Sequence, residues 1–122
     1  MMSLFPLDKK RVSVEEADRR TLGVHAPDLP LDVRERGVWD AGHAPGAVHV
    51  PLSAPVAGAA LPQAAQGRPP VVICRSGNRS RKAAELLRAR GVDAVDVKGG
   101  IRQWAAAGHP VVGASGNEGS MA

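Results

Sequence analysis

The sequence predicts an α/β fold in which a parallel sheet carries helices on both faces. Two observations lead there. Helical and extended patterns alternate along the chain in the order helix, strand, helix, strand, helix, strand, helix, strand, helix. The clearest extended stretch, "PPVVIC" at residues 69–74, is a β-branched run bounded by prolines, the pattern of a strand buried on both sides.

Each element has its own signal. In "SVEEADRRTLG", Ser13 stands three residues before Glu16 in a capping-box arrangement and Gly23 supplies a stop, which predicts a helix over residues 14–22. "LPLDVRE" turns from apolar to charged, which places a strand at 31–33 with Asp32 and Arg34 near its carboxyl end. "GVWDAGHAPGAVHVP" contains a short helical turn, a Gly/Pro bend at 42–46 and a strand at 47–50. Residues 53–66 are Ala-rich with prolines at 55 and 62, which predicts a loop with one weak helix. After the strand that ends at Cys74, "SRKAAELLRARG" carries an apolar stripe of Ala83, Ala84, Leu86 and Leu87 and stops at Gly91. "VDAVDV" is a strand, "GGIRQWAAAG" a turn and a last short helix, and the Gly/Ser-rich residues 113–122 a flexible tail. The expected organisation is an extension at 1–11, one domain at 12–112 and that tail.

Composition narrows the function. A chain of 122 residues with 43% hydrophobic and 23% charged residues is one soluble domain that needs no staple. Aromatics are limited to Phe5, Trp39 and Trp104, so no platform for stacking bases is expected. The formal charge is +4, and eight Lys or Arg fall between Arg75 and Arg102 against Glu85, Asp93 and Asp96. That bias suits a small anion or an acidic protein. No nucleic-acid motif accompanies it, so no nucleic-acid partner is expected. His25, His43, His49 and His109 have no metal-ligand spacing and Cys74 has no second cysteine, so neither metal nor cofactor is expected. With no signal-peptide pattern, no apolar run of about 18 residues and one unpaired cysteine, the expectation is a cytoplasmic protein without a membrane partner.

The thiol is the centre of interest. Cys74 ends a strand and is followed by "RSGNRS" and a helix. Gly77 permits a backbone turn that gathers N–H groups into an anion nest, the helix start adds positive potential, and Arg75 and Arg79 add full charges. Each effect favours thiolate, the nucleophilic form. A cysteine buried only for packing needs no doubly basic, glycine-containing loop after it. Two chemistries use such a cradle. Phosphate-ester cleavage through a phosphocysteine needs an arginine six positions after the cysteine. Here that position is Ser80 and the arginine is Arg79, a loop one residue shorter, which favours a smaller guest and sulfur transfer through a persulfide.

"CRSGNRS" resembles the active-site loop of the rhodanese family of sulfurtransferases. "LDVRERGVWDAGHAPGAVHVP" resembles that family's N-terminal signature and "VKGGIRQWAAAGHPV" its C-terminal one, so the resemblance spans about residues 12–112. It implies a single rhodanese-like domain with a five-stranded parallel sheet and helices on both faces. It implies that Cys74 is the sulfur-carrying nucleophile, and that Arg75, Ser76, Gly77, Asn78, Arg79 and Ser80 form the cradle for a small anionic sulfur donor such as thiosulfate. Members associated with thiosulfate often carry a basic residue two positions after the cysteine, where this chain has Ser76.

Asp32 is expected to anchor the loop by pairing with an arginine, or else to cap the turn at its strand end. Arg34 is a candidate anion contact, or a partner of Glu35 or another surface acid. His43 is expected to hold the bend, and Trp104 to pack in the core. With no second thiol in the chain, the sulfur acceptor is external: a small thiol, or an acidic protein docked on the basic face near Arg81 and Lys82. The alternative is a sensor or protein-binding module on the same fold, with incidental turnover.

Overall fold

The computed structural model describes residues 10–21, 28–51 and 67–113. Among the described residues, five strands and four helices follow in the order β1 (Arg11–Val12), α1 (Val14–Thr21), β2 (Leu29–Asp32), α2 (Arg36–Ala41), β3 (Val48–His49), β4 (Pro70–Ile73), α3 (Asn78–Ala89), β5 (Val95–Val97) and α4 (Gly100–Ala106). The sheet order is β1-β5-β4-β2-β3 and every pairing is parallel. The fold class read from the sequence is therefore the one present.

Successive residues of β4 show how the sheet divides the core. Val72 and Cys74 face a cluster with Leu29, Leu31, Val33 and the α3 residues Ala83, Ala84 and Leu87. Val71 and Ile73 face the opposite cluster, where Val14 and Ala17 of α1 meet Ile101 and Trp104 of α4. The period-two alternation of strand side chains thus gives each face its own helices. Trp104 is buried and its indole N–H donates to the Pro110 carbonyl at 2.8 Å.

Several boundaries differ from the sequence reading, each for a local reason. β2 starts at Leu29 even though Pro30 lacks an N–H. Leu29 and Val33 donate towards β4, to the carbonyls of Pro69 and Ile73, so Pro30 faces the other side. There β3 begins only opposite Leu31, and no ladder bond is lost. β5 is shorter than "VDAVDV", because Val92 N donates back to Leu87 O and completes the end of α3. α3 begins two residues earlier than read, at Asn78, with Gly77 before it in a left-handed conformation at φ 109°. β1 has no counterpart in the element-by-element reading, since two residues carry no periodicity.

At the start of α1, Ser13 Oγ accepts the Glu16 N–H at 3.1 Å, one half of the expected box. The Glu16 carboxylate turns instead to Arg20 Nε, at 2.9 Å, and to Arg19. These two hydrogen bonds, Arg20 first, hold the Glu16 carboxyl below its ordinary range. The Gly23 stop, the segment 53–66 and the tail after Gly113 lie outside the described residues.

Candidate active site

Cys74 leaves β4 at its carboxyl end, the edge at which parallel α/β sheets place their chemistry. Its thiol is buried, and the chain behind it curls so that donors converge on the sulfur. Gly77 N–H reaches Sγ at 3.1 Å and Ser80 N–H at 3.2 Å, with Ser80 Oγ at 3.3 Å. Negative charge on this sulfur meets two backbone dipoles and the start of α3.

The curl has two supports. At Gly77, a Cβ would lie 3.1 Å from Arg11 Nη2 and 3.2 Å from Gly99 N, on a backbone that side chains already disfavour. The second support is α4. Ile101 N–H donates to the Cys74 carbonyl at 2.7 Å and Arg102 N–H to the Arg75 carbonyl at 3.1 Å. Gly100 permits this approach: a Cβ there would stand 2.3 Å from Cys74 O. In a trans peptide the N–H points opposite to the C=O. With both carbonyls drawn to α4, the N–H groups of Arg75 and Ser76 are turned away from it.

A cavity of about 430 Å³ opens over the thiol, lined by Arg34, Glu35, Val38, Cys74, Arg75, Ser76, Asn78 and Arg79. That is within the range of roughly 300–1,000 Å³ for small-molecule sites. Arg75 and Arg79 are exposed at its mouth, and neither forms an ion pair among the described residues. The whole of the stretch from Arg75 to Ser80 thus gathers around one sulfur, with Gly77 and Ser80 bonding it and the other four lining the cavity.

Asp32 and Arg34 sit beside this pocket as one unit. The Asp32 carboxylate accepts Arg34 Nε at 3.0 Å and Nη2 at 2.8 Å, and also the Arg34 backbone N–H at 2.9 Å. Asp32 therefore both pairs with an arginine and closes its own turn. Arg34 pairs with the Asp32 carboxylate and donates through Nη2 to the Gly42 carbonyl as well. Its Nη1 is buried without a partner among the described residues. His49 bonds the Arg34 carbonyl at 2.7 Å, and His43 bonds Trp39 O at 2.8 Å while its ring stacks on Trp39 at 3.5 Å.

Two residues of the site have no counterpart in the sequence reading, and a third has a larger role than the one read for it. Arg11 falls in the stretch read as an extension, yet pairs with Asp96 at 3.0 Å and bonds Gly77 O at 3.0 Å. Asp96 accepts from Ser80 Oγ at 3.2 Å. Its signal was an acid inside an apolar strand, "VDAVDV", since a buried carboxylate calls for a partner. Gly100 was read only as a turn residue.

The model of the Rhodanese-like domain matches residues 15–107, most of the chain. The chain belongs to the rhodanese-like domain family. It is similar to a rhodanese-related protein from Thermoplasma volcanium, with 29% identity and a TM-score of 0.70 over 84% of this chain and 97% of that one. The rhodanese-like domain of an Anabaena protein superimposes with a TM-score of 0.72 at 27% identity, over 85% and 79% of the two chains. Among curated proteins it is 33% identical over 98 residues to the adenylyltransferase and sulfurtransferase UBA4 of Yarrowia lipolytica, and 37% identical over 84 residues to MOCS3-2 of Zea mays. These matches take in 80% and 64% of this chain but 24% and 17% of the relatives, so the rhodanese-like chain spans a quarter or less of their length. Among the described residues of this rhodanese-like chain, no helix is long and apolar enough to cross a membrane.

Proposed function

We propose that this chain is a sulfurtransferase that carries sulfane sulfur as a persulfide on Cys74. The observation that carries the proposal is the convergence of Gly77 N–H and Ser80 N–H on Sγ, at 3.1 and 3.2 Å, beneath a cavity with Arg75 and Arg79 at its mouth. Membership of the family, and relatives named as sulfurtransferases, support it.

The cycle has two displacements. The Cys74 thiolate attacks the outer sulfur of an anionic donor such as thiosulfate. The new S–S bond forms as the old one breaks, and sulfite leaves with the bonding pair. The resulting persulfide bears a negative outer sulfur. A thiolate or cyanide then attacks that sulfur, and the Cys74 thiolate leaves to the N–H groups that held it. Neither step needs an oxidant or a metal. Arg75 and Arg79 draw the anionic donor by charge, while Ser76 offers a hydroxyl and no charge.

Cys74 is the one cysteine of the sequence, so the sulfur leaves to an external acceptor: a small thiol, or an acidic protein seated on the exposed Arg81 and Lys82 of α3. Charge reversal at those two positions should slow transfer to a protein acceptor several-fold and leave transfer to cyanide unchanged. Equal rates to every protein acceptor tried would remove the docking role.

The deciding experiment is the intact mass after incubation with thiosulfate, beside the Cys74→Ser variant. The expected result is a gain of one sulfur atom, lost on adding cyanide, and no gain in the variant. No gain from thiosulfate, a persulfide or mercaptopyruvate would overturn the proposal and favour a sensor or binding module.

A further inference from the structure

A second set of polar contacts reaches Cys74 through Ser80, from residues that do not line the cavity. Cys74 Sγ donates to Ser80 Oγ at 3.3 Å, and Ser80 Oγ donates to Asp96 Oδ2 at 3.2 Å. Asp96 in turn accepts Arg11 Nε at 3.1 Å and Nη2 at 3.0 Å. Asp96 is 1% exposed and Arg11 29%. The contacts tie three elements together: Arg11 on the edge strand β1, Asp96 on β5 and Ser80 in the first turn of α3.

A hydroxyl has one proton to give. Ser80 Oγ has the Asp96 carboxylate at 3.2 Å and the Gly77 carbonyl at 3.3 Å as acceptors, and the sulfur becomes a third once it is an anion. While Cys74 is a thiol, its S–H points at Ser80 Oγ and the hydroxyl serves Asp96. When the thiol ionises, the S–H bond breaks, its electron pair stays on sulfur, and the proton leaves to water or a buffer base in the cavity. Ser80 O–H is then free to turn to the sulfur. That turn takes a donor from a buried carboxylate, which is costly unless others remain. The two Arg11 nitrogens remain. Asp96 meets the sulfur only through Ser80 Oγ, by the bond that the hydroxyl donates to Oδ2.

We propose that Asp96 and Arg11 are positioning residues that act on Cys74 through Ser80. Asp96 holds the hydroxyl away from the sulfur, and Arg11 balances the charge of Asp96 so that the sulfur anion forms and the hydroxyl turns to meet it. The inference rests on Cys74 as the working nucleophile, but its test uses no sulfur donor.

The test is alkylation of Cys74 by iodoacetamide. The rate at about pH 6 is divided by the plateau rate at about pH 10, which cancels changes in access to the thiol. The other charged groups near the thiol, Arg34, Glu35, Arg75 and Arg79 around the cavity, are the same in every variant. Asp96→Asn removes the charge and releases the hydroxyl, and should raise the ratio about threefold. Arg11→Met leaves Asp96 unbalanced and should lower it about threefold. The double variant should fall between the two. In a Ser80→Ala background the effect of Asp96→Asn should shrink by at least half.

A purely structural role would change the plateau rate and move both ratios the same way. Shifts in the same direction, or two ratios within about 1.5-fold of the parent, would overturn the proposal. Should Asp96→Asn not fold, Arg11→Met is read in the parent and in the Ser80→Ala background, since Arg11 also bonds Gly77 O: a fall that shrinks by at least half without Ser80 is the expected result, and an unchanged or raised ratio, or an equal fall in both backgrounds, overturns the proposal. Opposite shifts in a protein that takes up no sulfur would sink the persulfide reading and leave the role of Asp96 and Arg11 standing.

Discussion

Two acid–arginine pairs flank Cys74, and they are built for different work. Asp32 and Arg34 are two residues apart and almost fully enclosed, at 0% and 3% exposure. Their bonds close on themselves and on the Gly42 carbonyl. Arg11 and Asp96 are 85 residues apart, with one partner partly in solvent, and Asp96 gives its remaining acceptor capacity to Ser80 beside the thiol. The first pair ties the end of β2 to the bend before β3. The second joins the sheet edge to the sulfur. A buried ion pair with all its bonds internal contributes geometry, whereas one that shares a hydroxyl with a reactive group can also influence its chemistry.

Breaking the enclosed pair should give the largest effect. Asp32→Ala strands the Arg34 guanidinium in the interior and should cost about 3–5 kcal/mol, read from urea denaturation. Adding Arg34→Met should recover part of that loss. A cost under about 1 kcal/mol would mean that the pair is not what fixes this corner. The comparison sharpens when both carboxylates are made amides. Asp32→Asn should lower stability and leave the normalised alkylation ratio of Cys74 unchanged, while Asp96→Asn should move the ratio with the smaller change in urea midpoint. If Asp32→Asn shifted the ratio as far as Asp96→Asn, the division of labour between the pairs would be wrong.

The smallest effect belongs, for contrast, to a network in which Glu16 and Arg20 are about one-third exposed and Arg19 mostly so. Arg20 and Arg19 hold the Glu16 carboxyl below its ordinary value of 4.5. A lowered folded value means that this stabilisation is full above about pH 4.5 and is lost as the pH falls through the folded value. Glu16→Gln should therefore flatten slightly the acid limb of the melting temperature and leave neutral pH nearly unchanged. A fall at pH 7 as large as that of Asp32→Ala would show that exposure does not separate these networks.

What the sequence disclosed follows from how far each constraint reaches along the chain. The Cys74 loop is contiguous, so its glycine, its arginines and the helix after it are readable side by side. The alternating elements were likewise visible, since each carries its own period. Asp32 and Arg34 were found together because they are neighbours, although which bonds they would choose was open between two readings. Arg11 and Asp96 meet only because β1 lies against β5, and a two-residue strand leaves no pattern to announce that pairing. Gly100 was legible as a turn glycine of the C-terminal signature, but its demand was not: that comes from the carbonyl of Cys74, 26 positions earlier in the numbering.

The clamp of α4 on the loop makes two amides into gauges. The N–H groups of Ile101 and Arg102 end on the carbonyls of Cys74 and Arg75, so neither can exchange its hydrogen with solvent until the backbone at Cys74 and Arg75 lets go. Their deuterium uptake, followed in the free, sulfur-loaded and acceptor-mixed protein, would time the opening of the cradle without a label on the cysteine.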